Sequence, residues 1–517
     1  MLFYLSSIDM LSRLQVCAFN GLDVLPIDVE IDISSGQPNF VIVGLVDTAI
    51  QEAKERLRAA LKNTGLRFPW DKRVVVNFAP ADLKKEGTHY DLAMVIGVLQ
   101  ATSVVPAREN ALYIGEVALD GRLRSVNGVL PIAWFAKKNG FSEIFVPQEN
   151  VRQAAVVEGI AVYGVASLQS LVLHLQGIAP LSVCPYHPMA EQEHTDDGDD
   201  FRYVKGQFHA KRALVIAASG GHNVLMTGAP GAGKTLLARS MGSIMPPLTV
   251  EECLEVSSIY SISGLLGPGE AYKSQRPFRS PHHSASAVAL IGGGRVPMPG
   301  EITLAHRGVL FLDEFPEFPR SVIEALRQPL EDGVVSIARS QGHCTFPARV
   351  MLIAAQNPCP CGYLFDQQKQ CACTPGSIEK YRRKISGPIL DRIDLHVTVS
   401  RVPVADLESR ESGESSETLR KNVIDARKIQ CARYQSAGYS FFTNAELPSS
   451  FIEQWCPLDV EGKKMLLNAV DSLHLSARSY YRLIKVSRTI ADLSASEMIL
   501  SPHVGEALQY RFTEGAS

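Results

Sequence analysis

The chain has 517 residues, too many for one hydrophobic core, so two or three domains are expected. Its 51 Lys+Arg nearly cancel 54 Asp+Glu, which excludes a uniformly basic nucleic-acid binder and confines any such contact to a local surface. No run of about 18 apolar residues occurs, Asp9 interrupts the N-terminal apolar stretch, and the ten cysteines do not form a spread disulfide scaffold; a cytoplasmic protein without a membrane span is expected.

From Ile27 to about Leu175, apolar strand-like runs (Phe40 to Leu45, Val74 to Phe78, Leu112 to Val117, Ile144 to Val146) alternate with amphipathic helices, which defines a first α/β domain over 1–175. Residues 176–200 turn to Pro, His and acidic residues, ending in Asp196-Asp197-Gly198-Asp199-Asp200, and are expected to be a linker. A second α/β region follows over 201–402, with strands at Asn223 to Thr227, Val309 to Leu312, Val350 to Ala354 and Asp394 to Val399. Helices at Thr418 to Tyr434, Glu461 to Val470 and Ala477 to Leu493 then dominate 403–517, after a charged, Ser/Gly-rich connection from Glu408 to Ser416.

Within the second region, Gly228-Ala229-Pro230-Gly231-Ala232-Gly233-Lys234-Thr235 follows a strand and opens a helix, the context a phosphate-binding loop requires. Glycines let backbone N–H groups wrap the phosphates of ATP, Lys234 supplies a cation for the β- and γ-phosphates, and the Thr235 hydroxyl is a Mg²⁺ ligand. Next comes Leu265 to Arg295, an insertion carrying Lys273, Arg276, Arg279, His282, His283 and Arg295, which suits either a pore element or a brace at a subunit interface. The apolar strand Val309 to Leu312 ends in Asp313-Glu314: Asp313 is placed to hold Mg²⁺ through water and Glu314 to polarise the attacking water.

Gly333 to Phe346 contains two β-prone runs about a glycine-containing tip and is expected to be a hairpin; its similarity to the channel hairpin of related ring motors implies Arg339 and His343 as candidate DNA-phosphate contacts, and the other reading is an ordinary surface hairpin with a solvated arginine. Another apolar strand ends at Asn357, a candidate for orienting the lytic water, although an amide before Pro358 is also a common turn device. Cys359-x-Cys361 and Cys371-x-Cys373 supply the four thiols of a tetrahedral Zn²⁺ site, or are reduced surface thiols. Lys380, Arg382, Arg383 and Lys384 form a basic cluster, either a DNA-tracking surface or a solvated face.

Two further segments carry a resemblance. Leu390-Asp391-Arg392-Ile393-Asp394 is similar to the arginine-finger segment of magnesium-chelatase and MCM-type AAA+ proteins, and Ser476-Ala477-Arg478 resembles their second sensor. Read as bare residues, Arg392 is equally a salt-bridge partner of Asp391 or Asp394, and Arg478 a solvated helix residue. More specific still are Arg276-Pro277-Phe278-Arg279-Ser280-Pro281-His282-His283, the run from Pro299 to Glu314, and Asn357-Pro358-Cys359-Pro360-Cys361-Gly362, which resemble the ComM (YifB) family of magnesium-chelatase-like proteins across essentially the whole chain.

That resemblance implies a P-loop AAA+ core with a helical lid, preceded by an α/β Lon-protease-like (ribosomal S5-like) domain. It also implies a hexameric, ATP-driven DNA motor promoting branch migration in natural transformation, with single-stranded and branched DNA and recombinase or loader proteins as partners. Within the Lon-like part, Glu86 to Asp91 corresponds to the family's serine loop with His89 at the serine, and Leu130 stands at the lysine position. The Ser/Lys dyad is therefore absent and no proteolysis is expected. Rival expectations are a magnesium-chelatase-like motor remodelling a protein partner, and a scaffold whose ATPase is an assembly switch.

Overall fold

The computed structural model describes residues 11–189, 200–267, 269–294, 297–339, 342–364, 366, 369–402, 413–436, 438 and 442–511. Contacts divide the chain into two compact units, one formed by 1–190 with 249–274 and the other by 191–248 with 275–517.

The first unit is built on two four-stranded sheets. Leu11–Asn20 and Asp23–Ser34 form a long antiparallel hairpin; Asp23–Ser34 then pairs antiparallel with Arg73–Ala79, which pairs in parallel with Asn39–Val43. In the second sheet, Ala111–Tyr113, Glu143–Pro147 and Ala161–Val165 run parallel, and Val183–Cys184 adds an antiparallel edge. Two differences from the sequence expectation stand out here. The first hairpin starts well before Ile27, and Val183–Cys184, inside the segment 176–200 expected to be a linker, is part of the sheet. Asp196 to Asp199 lie outside the described residues.

Helix Asp91–Ala101 is buried on nearly every side because it carries no charge after Asp91, whose carboxylate accepts from Arg56 at 2.9 Å. Burial pushes Asp91 up to about 6 against the opposing pull of Arg56. The helix Val250–Ile262, started by a Thr249/Glu252 capping box, packs on the helix Val129–Lys138 of this unit, although the sequence places it between two strands of the second region.

The second unit carries a five-stranded, all-parallel sheet in the order Phe278–Arg279, Val309–Leu312, Met351–Gln356, Val224–Gly228, Leu395–Val399. Its central strands are continuous apolar runs, as a sheet covered on both faces requires. The helices Ser416–Gln435, Val460–Ser472, Ala477–Leu493 and Ser501–Gln509 share one hydrophobic core with that sheet, contributing Leu419, Val423, Leu466, Leu483, Ile490 and Val504 among others.

A buried polar network fastens the helical part to the strand Leu395–Val399. Asp394 accepts from Arg482 at 2.5 Å and from the backbone N–H of Asn223 at 3.1 Å, with His222 at 3.4 Å. Burial alone would raise the Asp394 carboxyl, but Arg482 and His222 overcome it and hold Asp394 well below the usual carboxylate range. The segment that carries Arg392 is thereby set by contacts to the helix Ala477–Leu493, which carries Arg478.

Val334–Arg339 and Gly342–Pro347 pair antiparallel with Arg339 opposite Gly342, so the hairpin expected from Gly333 to Phe346 forms. Arg339 and His343 stand on its two strands beside the tip; their side chains lie outside the described residues.

Candidate nucleotide-binding site

Strand Val224–Gly228 leads through the glycine loop into helix Lys234–Ile244, whose first residue is Lys234. Gly231 and Gly233 adopt φ of 77° and 92°, the left-handed conformations that let the loop close around an anion at the helix N-terminus. The Lys234 ammonium donates to Gly228 O (2.7 Å), Ala229 O (3.1 Å) and Asn357 Oδ1 (3.1 Å). Burial lowers its pKa, partly offset by Asp313 and Glu314. Asn357 thus reaches the site through the geometry of two adjacent strands: Val224–Gly228 and Met351–Gln356 pair in parallel, bringing both C-terminal ends to one edge.

Thr235 Oγ1 donates to Asp313 Oδ2 at 2.7 Å, so the hydroxyl and carboxylate expected to serve one Mg²⁺ ion are already adjacent. Asp313 Oδ1 accepts from the Glu314 N–H at 2.9 Å, and Glu314 itself has φ of 51°, a left-handed conformation uncommon outside glycine. Its carboxylate is about half exposed and faces His283 Nδ1 at 3.2 Å. His283, part of the insertion Leu265 to Arg295, stands against the carboxylate at the strand tip, a contact its sequence position did not indicate.

Loop, Asp313, Glu314, Gln356 and Asn357 line a cavity of about 370 Å³. A second cavity of about 400 Å³ lies across the same loop, sharing Pro230 to Gly233 and Leu236 and walled by Tyr203, Val204, Gln207, Leu237 and Arg401. No local motif announces the second, because three distant segments build it.

Arg392 and Arg478 line neither cavity. Both guanidiniums pair with Glu331, and Arg392 also donates to Arg327 O (3.0 Å) and Pro388 O (2.6 Å). The alternative expectation of an Asp391 or Asp394 partner for Arg392 is corrected: Asp394 is taken by Arg482 and His222, and Glu331, 61 residues away in sequence, is the acceptor.

Cys359, Cys361, Cys371 and Cys373 converge, with all four sulfurs within 4.8 Å of one another. Several other cations named from sequence are committed within the chain. Lys273 pairs with Glu270 at 2.7 Å, Arg279 binds Glu301 through two bonds of 2.6 and 2.7 Å, and Arg276 donates to Pro246 O and Arg307 O. Arg383 and Lys384 pair with Glu379 and Glu317. Arg295 lies outside the described residues.

At the dyad positions of the first unit, His89 is buried, with Nε2 at 3.0 Å from Cys17 O and its ring 3.9 Å from that of Tyr90. Burial pulls it down to about 4, so it is a neutral packed residue near pH 7. Leu130 is fully buried in the helix Val129–Lys138. Neither offers a nucleophile or its base.

A parallel sheet with a phosphate loop, an acidic strand tip and a packed helical C-terminal part defines a P-loop AAA+ ATPase. Comparison with known families agrees: "Subunit ChlI of Mg-chelatase" matches residues 29–150, "Magnesium chelatase, subunit ChlI" matches 200–407, and "Magnesium chelatase, subunit ChlI C-terminal" matches 413–511. The chain is 41% identical to the competence protein ComM of Haemophilus influenzae over 95% of each chain, and 40% identical to YifB of Escherichia coli over 97% of each. A weaker likeness, 22% over 196 residues or 35% of each chain, links it to Lon protease 2 of Bacillus subtilis. The chain belongs to the ComM/YifB family of magnesium-chelatase-like AAA+ proteins, with a Lon-like α/β domain ahead of the ATPase core. Among the described residues no helix is long and apolar enough to cross a membrane.

Proposed function

We propose that the chain is a ring-forming ATPase, hexameric in its working state, that uses hydrolysis to drive branch migration of DNA and so promotes integration of incoming strands during natural transformation. ATP and Mg²⁺ occupy the cradle of Gly228 to Thr235 with Asp313; Glu314 polarises the attacking water and Asn357 orients it. Zinc is held by the four cysteines. Arg392 serves as the finger on the neighbouring subunit's γ-phosphate and Arg478 as the second sensor. Recombinase or loader proteins work alongside it in the cytoplasm.

One observation carries the ring. The nucleotide cradle contains a cation, magnesium ligands and a candidate base, yet its two expected arginines stand together on Glu331, outside both cavities. A site lacking its transition-state cations is completed by another copy of the chain, the arrangement in which AAA+ fingers work. The hairpin Val334–Pro347 supports the DNA reading: a short ribbon with Arg339 and His343 beside its tip suits sequence-independent contact with phosphates, and the relative ComM is named a competence protein.

Steady-state ATPase measured with and without single-stranded and forked DNA tests the reading, together with a fluorescent three-strand branched substrate. Turnover is expected to rise about tenfold with DNA, and the branch to be resolved only with ATP and Mg²⁺. An ATPase indifferent to DNA, with the branch intact, overturns the DNA motor. It leaves a motor acting on a protein partner, the role suggested by the magnesium-chelatase likeness.

A further inference from the structure

The four-cysteine cluster is joined to the ATP site by more than sequence proximity. Cys359 lies two residues beyond Asn357, whose side chain accepts from Lys234 at 3.1 Å. The turn that follows, closed by a Gly362 N–H to Cys359 O bond of 2.9 Å, puts Gly362 against the phosphate loop. At φ of 84° a side chain there is strained, and a Cβ would sit 2.5 Å from Pro230 Cδ and 2.7 Å from its Cγ. Beyond that turn, Asp366 pairs with Arg401 at 3.0 Å, and the Arg401 guanidinium lies 5.7 Å from the Tyr363 ring centroid. Arg401 in turn walls the second cavity beside the phosphate loop.

Spacing among the sulfurs fits a tetrahedral metal site and not a disulfide. Cys359 and Cys361 are 3.4 Å apart, Cys359 and Cys371 3.7 Å, Cys361 and Cys371 3.6 Å. A disulfide needs about 2.05 Å, whereas four thiolates at about 2.3 Å from one tetrahedral zinc ion are separated by about 3.8 Å. The Cys373 N–H also points at Cys371 Sγ, 3.4 Å away, the kind of backbone donor that steadies a thiolate ligand.

We propose that Cys359, Cys361, Cys371 and Cys373 bind one zinc ion, and that this zinc knuckle is a positioning element of the ATP site. The ion fixes the turn that seats Gly362 on Pro230 and holds Asn357 at Lys234. Losing it frees both sides of the phosphate loop and weakens nucleotide binding. This rests on the reading of Gly228 to Thr235 as the ATP cradle.

The test uses the full chain purified under reducing conditions, with zinc measured by elemental analysis and binding of a fluorescent ATP analogue with Mg²⁺ measured by titration. Wild type is expected to carry about one zinc per chain. In C371S/C373S, zinc is expected to be lost and the Kd for the analogue to rise about tenfold or more, the scale on which small misplacements act. Gly362→Ala, which keeps all four thiols, is expected to retain zinc and weaken the analogue to a similar degree. This second variant decides the matter if the cysteine variant fails to fold.

Zinc-free wild type, or bound iron with visible absorbance in place of zinc, overturns the metal assignment. Zinc loss with analogue affinity within about twofold of wild type overturns the coupling. Zinc-loaded wild type that binds no nucleotide overturns the ATP-site reading itself, a failure distinguishable from the others by its intact metal content.

Discussion

Replacing Glu314 by glutamine is expected to lower ATP turnover by about 10²- to 10⁴-fold while leaving ATP affinity nearly unchanged. The two effects separate because different atoms serve them. Binding draws on the loop N–H groups, the Lys234 ammonium and the Thr235 and Asp313 oxygens, and the one bond Glu314 makes to Asp313 comes from its backbone N–H, which a side-chain change leaves in place. The Glu314 carboxylate is instead held at the cavity mouth by a left-handed backbone and faces His283. Glutamine keeps the shape and removes the base. Titration with a fluorescent ATP analogue and single-turnover hydrolysis measure the two quantities; a variant retaining a third or more of wild-type turnover rules Glu314 out as the base.

Arg392→Ala is expected to cost about 10³-fold in turnover, with ATP affinity again preserved, because the lost cation acts only on the transferring phosphoryl group. Arg392→Lys is not expected to rescue it, since an ammonium cannot reproduce the planar fork. In the isolated chain the guanidinium is nearly buried and spends its donors on Glu331, Arg327 O and Pro388 O, with Arg478 sharing the same carboxylate. Two cations on one acidic side chain form a pair that a neighbour's triphosphate can draw off. Mixing distinguishes this from a structural ion pair: Arg392→Ala and Lys234→Ala are each expected to be nearly inactive alone. Equimolar mixed rings should regain activity at about a quarter of their interfaces, where an intact Lys234 meets an intact Arg392. No recovery in mixtures that do assemble contradicts a shared site.

Features written in local spacing were legible before the fold was known. The glycine loop, Asp313-Glu314, Asn357 and the cysteine pairs each occupy a few consecutive residues, and the parallel sheet brings the first three together at the C-terminal edge of neighbouring strands. What depended on distant partners was not legible. Glu331 as the acceptor for Arg392 and Arg478 follows from how the helix Ala477–Leu493 docks, and the second cavity beside the phosphate loop is assembled from Tyr203, Leu237 and Arg401. Residues 249–274 leave the second unit for the first through burial against the helix Val129–Lys138, which no periodicity records.

The N-terminal hairpin also has a local signature. Leu14, Val16 and Ala18, then Ile27, Val29, Ile31 and Ile33, alternate inward on either side of Asn20-Gly21, and Gly21 takes φ of 67°. Glycine at the first central position of a two-residue turn, here Gly21-Leu22, between alternating apolar residues is a short-range hairpin signal, and it locates the strands Leu11–Asn20 and Asp23–Ser34.

Electron microscopy of the full chain with a non-hydrolysable ATP analogue and forked DNA tests the shared-site account most directly. A closed ring is expected, with the hairpin Val334–Pro347 lining a DNA-filled channel and Arg392 released from Glu331 onto the γ-phosphate bound by the next subunit. Nucleotide-loaded chains that remain monomeric, or a ring in which Arg392 still rests on Glu331 and no DNA enters the channel, would contradict it.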